Sequence, residues 1–257
     1  MFSRISVLGA AAVAAAALAS PAQATFFSFA SDMNSNAYTF GGSAGLLGSF
    51  NITDFSRPNT FTLKIDDNNG PLSTVSIPVE FRAALTASAG QSTSITPSLW
   101  QHSYSVAGTF GFYDAAGTAL LTANVGASNP AVLTVPGTQT TWSSTGAVLG
   151  ATSYSDVTYT ASAALITAMG GTAAAAQYGI FLGASGTPAD FAFGLTALNG
   201  GAIGLSVAID PTTKAPTTAW RSESSFSGSA AGFVPSPGSA MLVGTAGLLM
   251  TTRRRRA

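Results

Sequence analysis

The stretch Thr60-Phe-Thr-Leu-Lys-Ile65, followed by Asp66-Asp-Asn-Asn-Gly70, decides the fold class of this chain. Its apolar residues Phe61, Leu63 and Ile65 alternate with polar ones, which is typical of a half-buried β-strand. The Asn-Gly pair then predicts a tight turn, because both residue types tolerate a positive φ. The chain returns with apolar residues at every second position, namely Val75, Ile77, Val79 and Phe81. We therefore predict a β-hairpin, and Pro78 favours an edge position or a bulge in its second strand.

Two further segments predict hairpins by the same reasoning. One begins with a long strand whose inner face carries Tyr104, Val106, Phe110 and Phe112, with Gly108 on that face suggesting a bulge. It turns at residues 114–117 and returns over residues 118–125. The other is predicted to run over residues 190–198, turn at 199–201 and return over 202–210, with inward residues Ile203, Leu205, Val207 and Ile209.

The remaining body contains further predicted strands and an Ala-rich segment. A strand over residues 26–30 opens the body, and a short β-type run over residues 37–40 follows it. The last strand covers about residues 218–227, with Trp220 and Phe226 on the same face. The segment 161–169 lacks strand alternation and ends at Gly170-Gly171, so it predicts a short helix, which a second Ala run over 173–176 extends. Many short strands with Gly and Asn turns, and no repeat of fixed period, predict an all-β fold. We expect a single antiparallel β-sandwich or jelly-roll-like domain.

Charge is scarce and unevenly distributed along the chain. Charged residues make up 8% of the sequence, against about one quarter in ordinary soluble domains. All 10 acidic residues but only five basic ones lie between residues 25 and 233, so this body carries a net charge of 5 − 10 = −5. An acidic body argues against nucleic acid as a partner, since phosphate binding needs basic residues. The absence of cysteine excludes disulfides and thiol chemistry.

The N-terminal residues 1–24 have the features of a secretory signal peptide. Arg4 supplies the positive charge, residues 5–19 form an apolar Ala-rich run, and Ala22-Gln23-Ala24 fits an A-x-A cleavage site. We expect the export machinery to be a partner and Thr25 to begin the mature chain. We therefore predict three parts of the chain: the signal peptide over residues 1–24, the β-sandwich body over residues 25–233 and a C-terminal segment over residues 234–257.

The last residues, 234–257, have three parts in a fixed order. Val234-Pro-Ser-Pro237 holds an extended segment because Pro235 and Pro237 prevent a continuous helix or strand. Residues 240–250 form an apolar run that predicts a hydrophobic helix shorter than the ~20 residues of a full membrane span. Arg253, Arg254, Arg255 and Arg256 then form a positive block, which opposes translocation.

This order resembles the PEP-CTERM sorting signal of Gram-negative bacteria, in its V-P-x-P variant. Val234, Pro235 and Pro237 match that motif, and Ser236 stands where the commonest form has an acidic residue. The resemblance implies an exported protein that an exosortase processes at the proline motif. It also implies transient contact with the inner membrane, through residues 239–252, and a final place at the cell surface or in the extracellular matrix, in association with exopolysaccharide.

Asp66, Asp67, Asn68 and Asn69 form the densest group of oxygen donors in the chain. Calcium prefers such carboxylate and carbonyl oxygens, so this loop is a candidate calcium site, and no other cofactor is indicated. The spacing does not fit an EF-hand loop, because Ile65 would occupy the first ligand position. The alternative interpretation, which is favoured over a calcium site, is a hairpin turn in which these residues satisfy backbone groups.

No motif predicts catalysis. His102 is the only histidine, no G-x-S-x-G element accompanies it, and the interpretation as a structural histidine is favoured over a general base. Trp100, Trp142 and Tyr154 have polar neighbours and are candidates for stacking on sugars, with burial in the core as the favoured interpretation of each. We therefore expect a non-enzymatic surface protein of structural or interaction type. A carbohydrate-binding module, a glycan-active enzyme and a calcium-dependent adhesin are the alternatives.

Overall fold

The computed structural model of the protein describes residues 24–30, 39–45, 50–54, 61–67, 72–144, 146–151, 155–182, 185–186, 189–200 and 205–231. The strands within these ranges are β1 Ala24–Ala30, β2 Thr39–Gly42, β3 Phe50–Asp54, β4 Phe61–Asp66, β5 Val75–Thr96, β6 Leu99–Tyr113, β7 Ala119–Val125, β8 Ala131–Thr138, β9 Thr141–Trp142, β10 Ala147–Gly150, β11 Val157–Ala161, β12 Ser185–Gly186, β13 Ala189–Gly200 and β14 Trp220–Ala231. Two short helices, α1 Ala163–Ala168 and α2 Thr172–Gln177, lie between β11 and β12. The fold is all-β, as predicted.

The hairpin that decides the fold class forms as expected. β4 and β5 pair antiparallel, with Leu63 opposite Ile77 and Ile65 opposite Val75. Leu63, Ile65, Ile77 and Val79 are buried, so the alternating apolar residues do face the core. The part of β5 before Glu80 pairs with β4 alone among the described strands, and the edge position predicted from Pro78 is therefore confirmed.

The second predicted hairpin is also confirmed, but its bulge is not. β6 and β7 pair from Gly108 opposite Val125 to Tyr113 opposite Ala119. The β5–β6 ladder runs through Gly108 without a change of register, and its shifts lie between Ser88 and Gln91 and between Ser94 and Thr96. Gly108 has a φ of +130°, and a Cβ there would lie 2.4 Å from the carbonyl oxygen of Ala84. Close approach of a neighbouring strand, not a bulge, requires this glycine.

The third predicted hairpin is wrong in its second strand. β13 pairs along its length with β14, from Ala189 opposite Ala230 to Gly200 opposite Trp220. Of the predicted return, residues 205–210 form only isolated bridges, and Leu205 is 58% exposed although it was predicted inward. Val207 and Ile209 are buried as expected. Both edges of β13 are paired along residues 192–195, with β14 and with β10, so no edge is free there for the segment that follows β13 in sequence.

The two sides of the sandwich pack through aromatic side chains. Phe81 of β5 and Phe110 of β6 face Phe193 of β13, with ring centroids 5.5 Å and 5.4 Å apart, respectively. Phe110 also lies 5.8 Å from Phe226 of β14. Phe81 and Phe110 therefore meet β13 and β14 across the core, although all four strands belong to one hydrogen-bonded antiparallel sheet that folds back so that β5 also pairs with β6. Trp220 and Phe226 are both buried, which confirms the face predicted for the last strand.

The Ala-rich segment forms the predicted short helix. Ser162 is the N-cap of α1, and its hydroxyl oxygen accepts a hydrogen bond from the backbone N–H of Leu165. Gly170 and Gly171 follow with φ of +93° and +102°, which ends the helix. α2 covers the second Ala run, and Ala161 belongs instead to β11.

The predicted targeting segments lie almost wholly outside the described residues. These include residues 1–23 and 232–257, and therefore Ala22, Val234, Pro235, Pro237 and the four terminal arginines. Ala24, the last residue of the predicted signal peptide, lies in β1 opposite Ala231. In the part of the chain that the structure describes, no helix is long and apolar enough to cross a membrane.

Candidate functional site: a groove across five strands

A groove lies on the solvent side of the sheet formed by β6, β8, β10, β13 and β14. Its volume is about 650 Å³. These strands are neighbours in the sheet although they come from distant parts of the sequence. Adjacent strands lie about 4.8 Å apart, so the groove crosses roughly 19 Å of sheet from β6 to β14.

Two rows of outward residues form the floor of the groove. The strand register places Thr134 opposite Val148, Val148 opposite Gly194, and Gly194 opposite Ser225, which makes the first row. In the second row Gln101 lies opposite Pro136. Thr196 lies opposite Glu223 at the other end of that row.

Glycine at two positions leaves part of the middle of the floor without side chains. Gly194 of β13 and Gly146, just before β10, line the groove and carry no side chain to fill it. A Cβ at Gly194 would lie 3.1 Å from the hydroxyl oxygen of Ser225. Ile95 and Leu99, at the tip of the β5–β6 hairpin, form a rim and are 57% and 41% exposed, respectively.

The chemistry of the groove is mixed but almost uncharged. Hydroxyl and amide groups come from Thr134, Thr196, Ser225 and Gln101, and aliphatic surface comes from Ile95, Leu99 and Val148. Glu223 is the one ionisable residue among the described residues that line it. Such a lining suits a ligand with both hydroxyl groups and apolar faces.

The strands under the groove have few free backbone N–H and C=O groups with which a ligand could form hydrogen bonds. β8, β10 and β13 are each paired on both sides, so their backbone N–H and C=O groups are used in the sheet. A peptide could not add to them as a further strand, which needs a free sheet edge. Recognition in this groove therefore depends on side chains.

The predicted calcium loop is only partly described. Asp67 is buried, and its carboxylate accepts a hydrogen bond of 3.3 Å from the backbone N–H of Leu72. That contact fits the alternative interpretation of a turn in which side chains satisfy backbone groups. Asn68 and Asn69 lie outside the described residues. Within the described ranges no three acidic or histidine side chains come together to hold a metal ion, and calcium binding stays a prediction.

His102 lies inside the sandwich and cross-links three parts of the sheet. Its Nε2 is 2.8 Å from the carbonyl oxygen of Thr138, which only accepts, so Nε2 carries the proton. Nδ1 is then the acceptor, and the Ser92 hydroxyl donates to it at 2.6 Å. Burial lowers the pKa of His102, and the nearby charge of Lys214 adds to that effect, whereas the carbonyl of Thr138 opposes it.

The predicted sugar-stacking aromatics are not brought together. Trp142 is 1% exposed, which confirms the favoured interpretation of burial in the core and removes it as a surface platform. It packs against Tyr104 and Trp220 with ring centroids 5.6 Å and 5.2 Å away, respectively. Trp100 is half-buried and does not line the groove, and Tyr154 lies outside the described residues.

Sequence reasoning missed the groove. The only available signal was glycine at positions that read as strand, since a strand glycine often marks close approach of another group. Gly194 is such a position, in the middle of an otherwise aromatic strand.

No protein-family model, no curated protein and no solved structure matches this chain.

Proposed function

We propose that this chain is an exported surface or extracellular-matrix protein of interaction type that holds surface polysaccharide in the groove across β6, β8, β10, β13 and β14. The observation that carries the proposal is the groove itself, with hydroxyl, amide and aliphatic side chains above fully paired strands. Sugars present hydroxyl groups together with apolar C–H faces, so both parts of this lining have something to contact.

The targeting part of the proposal rests on the sequence. Residues 1–24 supply the export signal, and residues 234–257 supply a sorting signal that resembles PEP-CTERM. The export machinery and an exosortase are the partners that this resemblance implies. The acidic body, with its net charge of 5 − 10 = −5, supports a partner other than nucleic acid.

Binding is better supported than glycan hydrolysis. Glycoside hydrolysis uses a pair of carboxyl groups that flank the scissile bond. Among the described residues that line the groove, Glu223 is the one carboxylate. A non-catalytic role for the groove therefore needs fewer assumptions.

The experiment is co-sedimentation of the purified full-length protein with insoluble polysaccharides, compared with the variant Gly194→Val. Valine fits a strand and places two methyl groups in the middle of the groove, where its nearest neighbour is the mobile hydroxyl of Ser225. We expect at least about tenfold weaker binding, because the ligand loses contact along the floor. Ser227→Val is the matched control, since Ser227 is exposed on β14 and does not line the groove. Equal binding by both variants would refute the proposal.

A further inference from the structure

The groove carries a single charged side chain in its lining. Among the described residues that line it, Glu223 supplies the one carboxylate and none is basic. Glu223 lies opposite Thr196 on β13, so the carboxylate stands at one end of the second row of the floor. An acidic glycan would bring its own carboxylates to this position, and the acidic body would repel it further.

From this arrangement we infer that the groove binds an extended glycan that contains amino sugars, with an amino group placed at Glu223. The inference rests on the proposed function and specifies its ligand. A protonated amine donates a charge-assisted hydrogen bond to a carboxylate, which is stronger than a bond between neutral groups. A neutral glycan would leave the Glu223 carboxylate with only a neutral hydroxyl to contact.

The shape of the groove sets the orientation of the glycan. The floor crosses the strands instead of following one of them, because the first row runs from Thr134 of β8 to Ser225 of β14 and the second from Gln101 of β6 to Glu223 of β14. Glycine leaves part of the middle of the floor without side chains, and Ile95 and Leu99 provide apolar surface at the β6 side. The chain of sugars therefore runs from these aliphatic residues to the carboxylate at the β14 side.

The test is equilibrium binding of the full-length protein to three soluble glycans, at about pH 6, where free amines of sugars carry a proton. The glycans are chitosan oligosaccharides, which carry amino groups, cello-oligosaccharides, which are neutral, and oligogalacturonates, which are acidic. We expect about fivefold to tenfold tighter binding of the amino glycan than of the neutral one, and the difference should shrink as salt is added.

Two variants with the same change of charge identify the carboxylate responsible. Glu223→Gln should remove the preference for the amino glycan and leave binding of the neutral glycan within about twofold. Glu80→Gln is the matched control, since the Glu80 carboxylate pairs with Arg82 at 3.0 Å and does not line the groove. It should retain the preference.

The outcomes separate the inference from the proposed function. Equal binding of amino and neutral glycans, or a preference for the acidic glycan, would overturn the inference while the polysaccharide-binding role stands. A preference for the amino glycan that persists in Glu223→Gln would also overturn it. The inference and the proposed function would both be overturned by two results together. These are failure to bind any of the three soluble glycans, and equal binding of Gly194→Val and the unaltered protein to the insoluble polysaccharides.

Discussion

The indole N–H of Trp142 donates a hydrogen bond of 2.9 Å to the hydroxyl oxygen of Tyr104, and both side chains are buried. The same Tyr104 hydroxyl donates to the backbone carbonyl of Lys214. Lys214 has a positive φ of 62°, which is unusual for a residue other than glycine. One buried hydroxyl therefore joins β6, β9 and the segment before β14, and it fixes the end of the sandwich.

Replacing Tyr104 by phenylalanine tests this relationship. The ring stays, but Trp142 and Lys214 lose their shared partner, so we expect the free energy of unfolding to fall by about 1–3 kcal/mol. Urea denaturation measures the change. Ser227→Ala, at an exposed position on β14, should change stability by less than about 0.5 kcal/mol. If Tyr104→Phe were as stable as this control, the two hydrogen bonds of the Tyr104 hydroxyl would make no net contribution to the free energy of unfolding.

His102 makes stability depend on pH in a defined direction. Burial holds its pKa below the ordinary value, so the unfolded chain takes up a proton more readily than the folded one. The stability that neutral His102 contributes is fully present above about pH 6.5, the ordinary pKa of the unfolded chain. As the pH falls from there towards the lowered pKa of the folded state, the free energy of unfolding decreases by up to about 1.4 kcal/mol per pH unit.

Urea denaturation at several pH values between about 7.5 and 5 measures this loss. His102 is the only histidine, so its ring resonances can be followed alone by NMR in the same samples. The variant His102→Gln should show a smaller decrease of stability over this pH range. A folded-state titration of His102 at or above its ordinary pKa would contradict the prediction.

Phe110 lies at the centre of the aromatic core. Its ring centroid is 5.0 Å from that of Phe191, 5.4 Å from Phe193 and 5.8 Å from both Phe81 and Phe226. Truncation by Phe110→Ala should reduce stability by about 3–5 kcal/mol, because it removes contacts with both faces of the sandwich and leaves a cavity. Phe110→Leu keeps more of the volume and should cost clearly less, which chemical denaturation can resolve.

Deletion of residues 234–257 tests the sorting prediction. We expect the truncated protein to be exported through its signal peptide but not to be retained at the cell surface, because it lacks the segment that an exosortase is proposed to process. Fractionation followed by immunoblotting measures where the protein accumulates. A variant with Pro235→Ala and Pro237→Ala keeps the apolar run and the arginines, so it separates processing from membrane contact. Unchanged surface retention in both variants would contradict the prediction.

The sequence by itself determined the all-β fold class and two of the three hairpins that it predicts. In the β4–β5 and β6–β7 hairpins, alternation with a period of two and a nearby turn are local signals, and both were read correctly. The short helix α1 was predictable for the same reason, since its cap and its stop lie within the segment.

Only the tertiary structure decided which distant strands meet. β13 pairs with β14 on one edge and with β10 on the other, so no edge is free along residues 192–195 for the segment that follows β13 in sequence. The same packing brings Trp142 of β9 against Trp220 of β14, which are distant in sequence. The groove depends most on the tertiary structure. Its residues lie between Ile95 and Ser225 in the sequence, and they share one face of the sheet only through the register of five strands. Alternation reports which side of a strand is apolar, but it carries no information about the strand that lies alongside.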